Sequence, residues 1–321
     1  MSEIKGKFFL LLAFSLAGTS VVTARMLAEK LNSFTITAVS LGLLLLCLLP
    51  VYANKTAKTI RLLKITDWRM LLLQALFGIF LFRIFLLFGV HLTSTVEAGI
   101  LTGAAPAITA LLAWTFLKEP LSGKTILGIA CTIAGIALLQ GLNLQGVGFS
   151  RDHFWGNALI LCAAASESTF NVIARKQGAK GCSTRLPMQP MVQMLLVSAI
   201  AFVFCLFPAL FEQPLPSIQA IGREEWAALV WYGLVVTALA FIFYYAGVQR
   251  CDAYTIAAFS GMMPLTSMLL SVSLFSERIG YVQWAGGILI ISSMLLIGES
   301  QKPQEAKKCS LGLSRKNNKI F

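Results

Sequence analysis

The sequence predicts an all-α integral membrane protein: ten transmembrane helices arranged as two inverted five-helix repeats. Three observations lead there. The composition is 57% hydrophobic and only 12% charged, where a soluble domain carries about 25% charged residues. Ten separate stretches approach the ~20 largely apolar residues that cross a bilayer. One residue pattern also occurs twice at a constant offset of 158, so that Trp68, Gly89, Gly103, Pro106, Glu119 and Gly128 recur as Trp226, Gly247, Gly261, Pro264, Glu277 and Gly286.

The first span covers residues 8–27. Lys5 and Lys7 precede it as in a secretory leader, but its apolar stretch is longer than a leader's and no small-x-small cleavage site follows, so it is read as retained. Spans at 34–53, 68–90, 94–117 and 122–141 complete the first unit, and spans at 154–175, 188–211, 226–248, 253–275 and 281–298 form the second. The connections run to roughly a dozen residues and leave no room for a soluble domain. Residues 67–141 read as homologous to 225–299, and an odd number of spans per unit puts the second copy upside down in the bilayer. The chain therefore divides into a first repeat, 1–146, a second, 147–300, and a basic, disordered cytoplasmic tail, 301–321.

The net charge of +12 follows the membrane and gives no nucleic-acid footprint. With a cytoplasmic N-terminus, the inner side receives Lys5, Lys7, Lys55, Lys58, Arg61, Lys64, Arg69, Lys118, Lys124, Arg175, Lys176, Lys180, Arg185, Arg250 and the tail. The outer side receives Arg25, Lys30, Arg151, Arg223 and Arg278. This skew orients the chain with both termini cytoplasmic, in a plasma membrane. The seven cysteines have no CxxC or Cys/His spacing, and His91 and His153 stand apart in outer turns, so no metal and no cofactor is expected.

Pro106 and Pro264 sit in the fourth helix of each repeat, thirteen residues before the matched Glu119 and Glu277. Each removes a helical hydrogen bond and frees the carbonyl four residues back, at Thr102 or Ser260. At membrane depth such a group is tolerated only against protein or a wet cavity. Gly103 and Gly261 soften the same place, and the matched hydroxyls Thr109 and Ser267 continue the face. A static kink and a gate are both open readings. Glu119 and Glu277 stand at span ends, where a carboxylate caps a helix. Small residues in the fifth and tenth spans, Gly128, Ala134, Gly135, Gly286, Gly287 and Ser293 among them, suit close packing within the chain or in a homodimer.

These residues resemble the EamA-type members of the drug/metabolite transporter superfamily. The resemblance rests on the two five-span halves and on the stretches from Glu97 to Pro106 (EAGILTGAAP), Leu117 to Leu121 (LKEPL), Gly261 to Pro264 (GMMP) and Phe275 to Ile279 (FSERI). It implies cytoplasmic termini, a central cavity lined by spans 1, 3, 4, 6, 8 and 9 with Pro106 and Pro264 facing it, and efflux of small metabolites.

Positions where the repeats differ bear on the solute, which lacks their symmetry. Arg83 stands opposite Phe241 and Glu97 opposite Thr255, while aligning Ala24 and Arg25 with Ala174 and Arg175, an offset of 150, sets Glu167 opposite Ala17. A charge at the bilayer centre costs about 2.5–3.5 kcal/mol on insertion scales, so each needs a reason. Arg83 and Glu97 differ in depth by roughly 7 Å, close enough for an ion pair between spans 3 and 4, or for substrate binding. Glu167, with Asn171 one turn on, is then the uncommitted carboxylate and the candidate proton-coupling group. Tyr244 shares a face with Thr237 and Phe241. The expected substrate-binding set is thus Arg83, Glu97, Thr102, Glu167, Asn171, Tyr244 and Ser260, with Pro106 and Pro264 as gating positions. One cation and two carboxylates complement a zwitterion, which makes an amino acid the first expectation for the solute, moved outward by alternating access with protons as a candidate co-substrate. No G-x-x-x-x-G-K-[ST] loop or H-E-x-x-H motif is present, which favours a secondary transporter over a pump or a membrane enzyme.

Overall fold

In a bilayer the backbone must satisfy its own hydrogen bonds, and this chain does so with helices throughout the described residues. The computed structural model describes residues 2–117, 121–141, 151–180, 189–248, 250, 259–260, 262–275 and 280–297. Helix α1 runs Ser2–Ala28, α2 Ser33–Leu62 and α3 Ile65–Leu92. Helix α4 comes in two pieces, Thr95–Thr102 and Ala105–Leu117, and α5 runs Gly123–Gly141. Helix α6 spans Arg151–Lys180, α7 Pro190–Phe211, α8 Arg223–Val248, α9 Met262–Phe275 and α10 Tyr281–Ile297. Helices α1, α2, α3, α4, α7 and α8 are long and apolar enough to cross a membrane, and α5, α9 and α10 carry shorter apolar helices. Glu119, Glu277, Gly261 and the tail from 301 lie outside the described residues.

Three features differ from expectation. The 34–53 span lies in a helix that continues to Leu62, with Pro50 inside it, so the expected 54–67 loop shrinks to a turn at Leu63 and Lys64. Hydropathy marks where hydrocarbon ends, whereas Ala, Lys, Arg and Leu propagate a helix into water as well. The connection between α7 and α8 holds a short helix, Pro214–Ala220, entered through the left-handed Gln213 (φ 52°). Helices α3 and α8 each widen into a π-helical stretch, Leu76–Leu81 and Trp231–Leu239, which overlap under the offset of 158.

Matched positions make matched contacts. The backbone N–H of Lys64 donates to Asp67 at 3.0 Å, and that of Gly222 to Glu225 at 2.7 Å; 64 and 67 correspond to 222 and 225. The Cβ that Gly89 lacks would stand 2.5 Å from Ile160 Cδ1 and 3.2 Å from the Gly156 carbonyl oxygen. The one Gly247 lacks would stand 2.7 Å from Leu10 Cδ2 and 3.4 Å from the Gly6 carbonyl oxygen. Residues 6 and 10 become 156 and 160 under the second offset, 150. Helix α3 accordingly packs on α6 as α8 packs on α1, α4 on α6 as α9 on α1, and α2 meets α7 as α4 meets α9. Helices α5 and α10 join through Thr132 Oγ1, which donates to Ser293 Oγ at 2.7 Å.

The largest apolar core draws on the parts of α1, α3, α4, α6 and α8 nearest the 29–32, 93–94 and 212–222 connections, with Val21, Leu27, Leu86, Val90, Ile100, Ile160 and Leu229 fully enclosed or nearly so. That end, which the charge skew assigns to the outside, is termed the outer end. Polar ties cross it. Glu212 at the end of α7 accepts from the Phe34 and Thr35 backbone N–H groups (3.2 and 2.7 Å), capping α2 from the other half of the chain. Lys30 donates to Glu225, which holds the lysine's pKa above its usual value.

Candidate functional site

Two of the three interior charges are engaged by neighbouring helices. Arg83 on α3 is 4% exposed. Its guanidinium donates to Ser40 Oγ of α2 at 2.8 Å, to the Tyr232 carbonyl of α8 at 3.1 Å and to Thr237 Oγ1, and lies over the Tyr232 ring with Cζ 4.0 Å from the centroid. The π-helical stretch of α8 presents that carbonyl, which also accepts from Thr237 Oγ1 at 2.8 Å, five residues on. Glu97 turns the other way. At 4% exposed, it bonds to His153 Nε2 at 2.7 Å and accepts from Asn157 Nδ2 at 2.9 Å, both on α6. Thr93 donates in turn to Asn157 Oδ1 at 2.5 Å.

The expected Arg83–Glu97 ion pair is therefore not formed. The two side chains leave α3 and α4 on different sides because each finds its partners on a third helix. Sequence reasoning also missed His153. It stands in the first turn of α6 with no sequence pattern around it, and only the packing of α4 on α6 brings it to Glu97. Glu97 borders an outer-end cavity of about 500 Å³ whose lining includes Arg25, His91 and Gln283.

Glu167 on α6 is different. Its Oε2 is buried and has no hydrogen-bond partner among the described residues. The flanking residues of α6 are committed: Ser166 donates to the Phe77 carbonyl of α3 at 2.9 Å and Ser168 to the Ala105 carbonyl of α4 at 2.8 Å. These two bonds fix the rotation of α6 and leave Glu167 on the face of Asn171. One turn inward, Tyr244 Oη of α8 donates to Asn171 Oδ1 at 3.0 Å. Tyr244 is ringed by Phe14 of α1 (5.9 Å between centroids), Phe170 (6.4 Å) and Tyr245 (5.8 Å), and Phe170 meets Phe241 at 6.0 Å. Glu167, Asn171 and Tyr244 are thus brought together. Arg83 lies six residues beyond Phe77 along α3, about 9 Å farther outward, and faces α2 and α8.

Thr102 closes the first piece of α4, its Oγ1 donating to the Gly99 carbonyl at 2.7 Å. The expected kink is a full break at Gly103 and Ala104, and Pro106 is the second residue of the next piece. Proline's missing N–H has no helical partner to lose there. Pro264 lies in α9, and Ser260, four residues before it, is also helical; Gly261 between them lies outside the described residues. The Cβ that Gly103 lacks would stand 3.3 Å from the Pro264 ring, so the break in α4 abuts α9 at its proline. The matched hydroxyls Thr109 and Ser267 are both buried without a partner among the described residues.

Comparison with known proteins agrees with this geometry. A family model described as the EamA-like transporter family matches residues 4–140 and, a second time, residues 154–298. The chain is 29% identical to the uncharacterized transporter YetK of Bacillus subtilis (strain 168), over 92% of this chain and 87% of that one. It is 25% identical to an uncharacterized transporter of Clostridium kluyveri, over 95% and 96%. A probable biotin transporter of Pseudomonas aeruginosa is 26% identical over 51% of this chain and 57% of its own. A solved crystal structure superposes with a TM-score of 0.58 at 19% identity, over 95% of this chain and 98% of that one; at that identity the likeness carries the fold alone.

Proposed function

Since the chain belongs to the EamA-like transporter family and is a multi-pass membrane protein, we propose that it is a secondary transporter that carries a small amphiphilic metabolite outward across the plasma membrane by alternating access. In this reading ten spans form two inverted repeats, 1–146 and 147–300, with both termini cytoplasmic, and the solute binds at Glu167, Asn171 and Tyr244.

The observation that carries the reading is one broken symmetry. At the outer end α1 approaches α3 closely enough for Arg25 Nη1 to donate to the Val90 carbonyl at 2.5 Å. The equivalent pair at the inner end is α6 with α8, and among the described residues no comparably close approach joins them. Long side chains, Tyr244 to Asn171 and Phe170 to Phe241, bridge that gap instead. A thick seal at one end and a thin one at the other describe a transporter closed to the outside, with its site one side-chain layer from the inside.

The amino-acid expectation keeps only half its support. Arg83 already holds three acceptors and a ring and does not serve a solute carboxylate, while Glu167 still suits an amine. Counterflow of radiolabelled metabolites in liposomes tests the reading: solute-loaded vesicles accumulate label without chemical change. A purified, folded protein that exchanges no member of a broad panel of amines, amino acids and biotin-like acids ends it.

A further inference from the structure

Among the described residues, the interior contains one carboxylate oxygen left without a partner, Glu167 Oε2. Everything charged around it is spoken for. Arg83 is held by Ser40, Tyr232 and Thr237, about 9 Å away along α3, and Glu97 is held by His153 and Asn157 at the outer end. No described Lys, Arg or His forms an ion pair with Glu167. A carboxyl group at membrane depth is stable in two ways, with a cation against it or with a proton on it. The missing partner is therefore positive and is not supplied by any described residue.

The surroundings define its body. One turn inward stand Phe14, Phe170, Phe241 and Tyr244, close enough to touch one another. Aromatic faces attract a cation and accept a flat apolar group, and they repel an anion. Among the described side chains no free cation lies beside them to hold a solute's carboxylate.

We infer that the solute is an amphiphilic organic cation, an amine carried on a flat apolar body, and that it exchanges with a proton at Glu167. Resting on the transporter reading above, the inference names that site's substrate class. The ammonium takes Oε2 while the ring system packs against Phe170 and Tyr244, and binding displaces the carboxyl proton. When the amine leaves, a proton replaces it, so a monovalent amine exchanges for one proton and the site stays neutral in both forms. The Tyr244–Asn171 hydrogen bond closes the inner side over the bound ring.

Three probes sharing one ring test the charge rule: phenylethylamine, phenylalanine and phenylpropionate. Binding to the purified protein is measured by calorimetry, with proton release followed by a pH indicator in weak buffer. Phenylethylamine should bind tightest and release about one proton per site. Glu167→Gln should release none and bind at least about ten-fold more weakly, and Glu167→Asp should recover part of both. Tighter binding of phenylpropionate or phenylalanine overturns the inference, as does undiminished amine binding by a folded Glu167→Gln. Counterflow separates the two readings. Exchange of the acid alone leaves a transporter with the wrong substrate class assigned; amine binding with proton release but no exchange leaves an amine site in a protein that does not transport.

Discussion

A buried arginine with no carboxylate beside it is held by dipoles, and the consequences differ from those of an ion pair. Arg83 satisfies a carbonyl of the π-helical stretch of α8 and two hydroxyls, tying α3, α2 and α8 together. Removing it loses three hydrogen bonds to a charged group in a dry environment, each worth about 1.5–3 kcal/mol, although the Tyr232 carbonyl still accepts from Thr237 Oγ1. Arg83→Ala is expected to lower the unfolding temperature in detergent by several degrees. Arg83→Lys should lower it nearly as far, because a single ammonium cannot span the planar fork and stack on Tyr232 as well. If Arg83→Lys melts normally but loses solute, the arginine is a ligand group after all. Sequence alone located all three interior charges, since a charge inside an apolar run needs a reason. It did not locate their partners. Ser40 and the Tyr232 carbonyl are separated from Arg83 by 43 and 149 residues, and a carbonyl exposed by a π-helical turn leaves no mark in residue type.

Helix ends and breaks were legible in proportion to how far one residue dictates them. Proline dictates strongly, so the interruption of α4 was foreseen at Thr102 and Gly103, although its extent was not: the chain stops at Gly103 and Ala104 and restarts at Ala105. The π-helical widenings of α3 and α8 went unforeseen because they arise from packing rather than local propensity. The break in α4 lies against α9 and α10, with Gly103 against the Pro264 ring and against Ile290 Cγ2 at 2.7 Å to a would-be Cβ. Alanine at Pro106 removes the ring that would clash with the Thr102 carbonyl in a continuous helix, so that the two pieces of α4 can fuse into a straighter rod, and Pro264→Ala removes the matched ring from α9. Pro106→Ala and Pro264→Ala are expected to fold and express normally yet exchange solute several-fold more slowly, as read by counterflow rates at equal protein density. Normal rates in both variants mean that the prolines serve packing alone.

At the scale of the whole molecule, the two offsets read from the sequence, 158 for the later helices and 150 for the first helix of each repeat, meet in pairs of contacts such as Gly89 on Gly156 and Gly247 on Gly6. The register of the duplication was thus legible to the residue, while the difference between the halves was not, because a single conformation breaks the symmetry and a sequence encodes every conformation at once. The outer seal exposes that difference. Arg25 donates to the Val90 carbonyl, and the two offsets carry these residues onto Arg175 and Val248 at the opposite face. A transporter whose repeats exchange roles should use the first pair when closed to the outside and the second when closed to the inside. Arg25→Ala should therefore favour the outward-open form and Arg175→Ala the inward-open one. Ala163, fully enclosed in the outer seal, offers the reporter: as the single cysteine of an otherwise Cys-free chain, Ala163→Cys should react with an impermeant thiol reagent added outside. The rate should rise in the Arg25→Ala background and stay at or below its starting value with Arg175→Ala. Equal rates in the two backgrounds mean that these arginines are not counterparts, and that alternation, if it occurs, runs through other contacts.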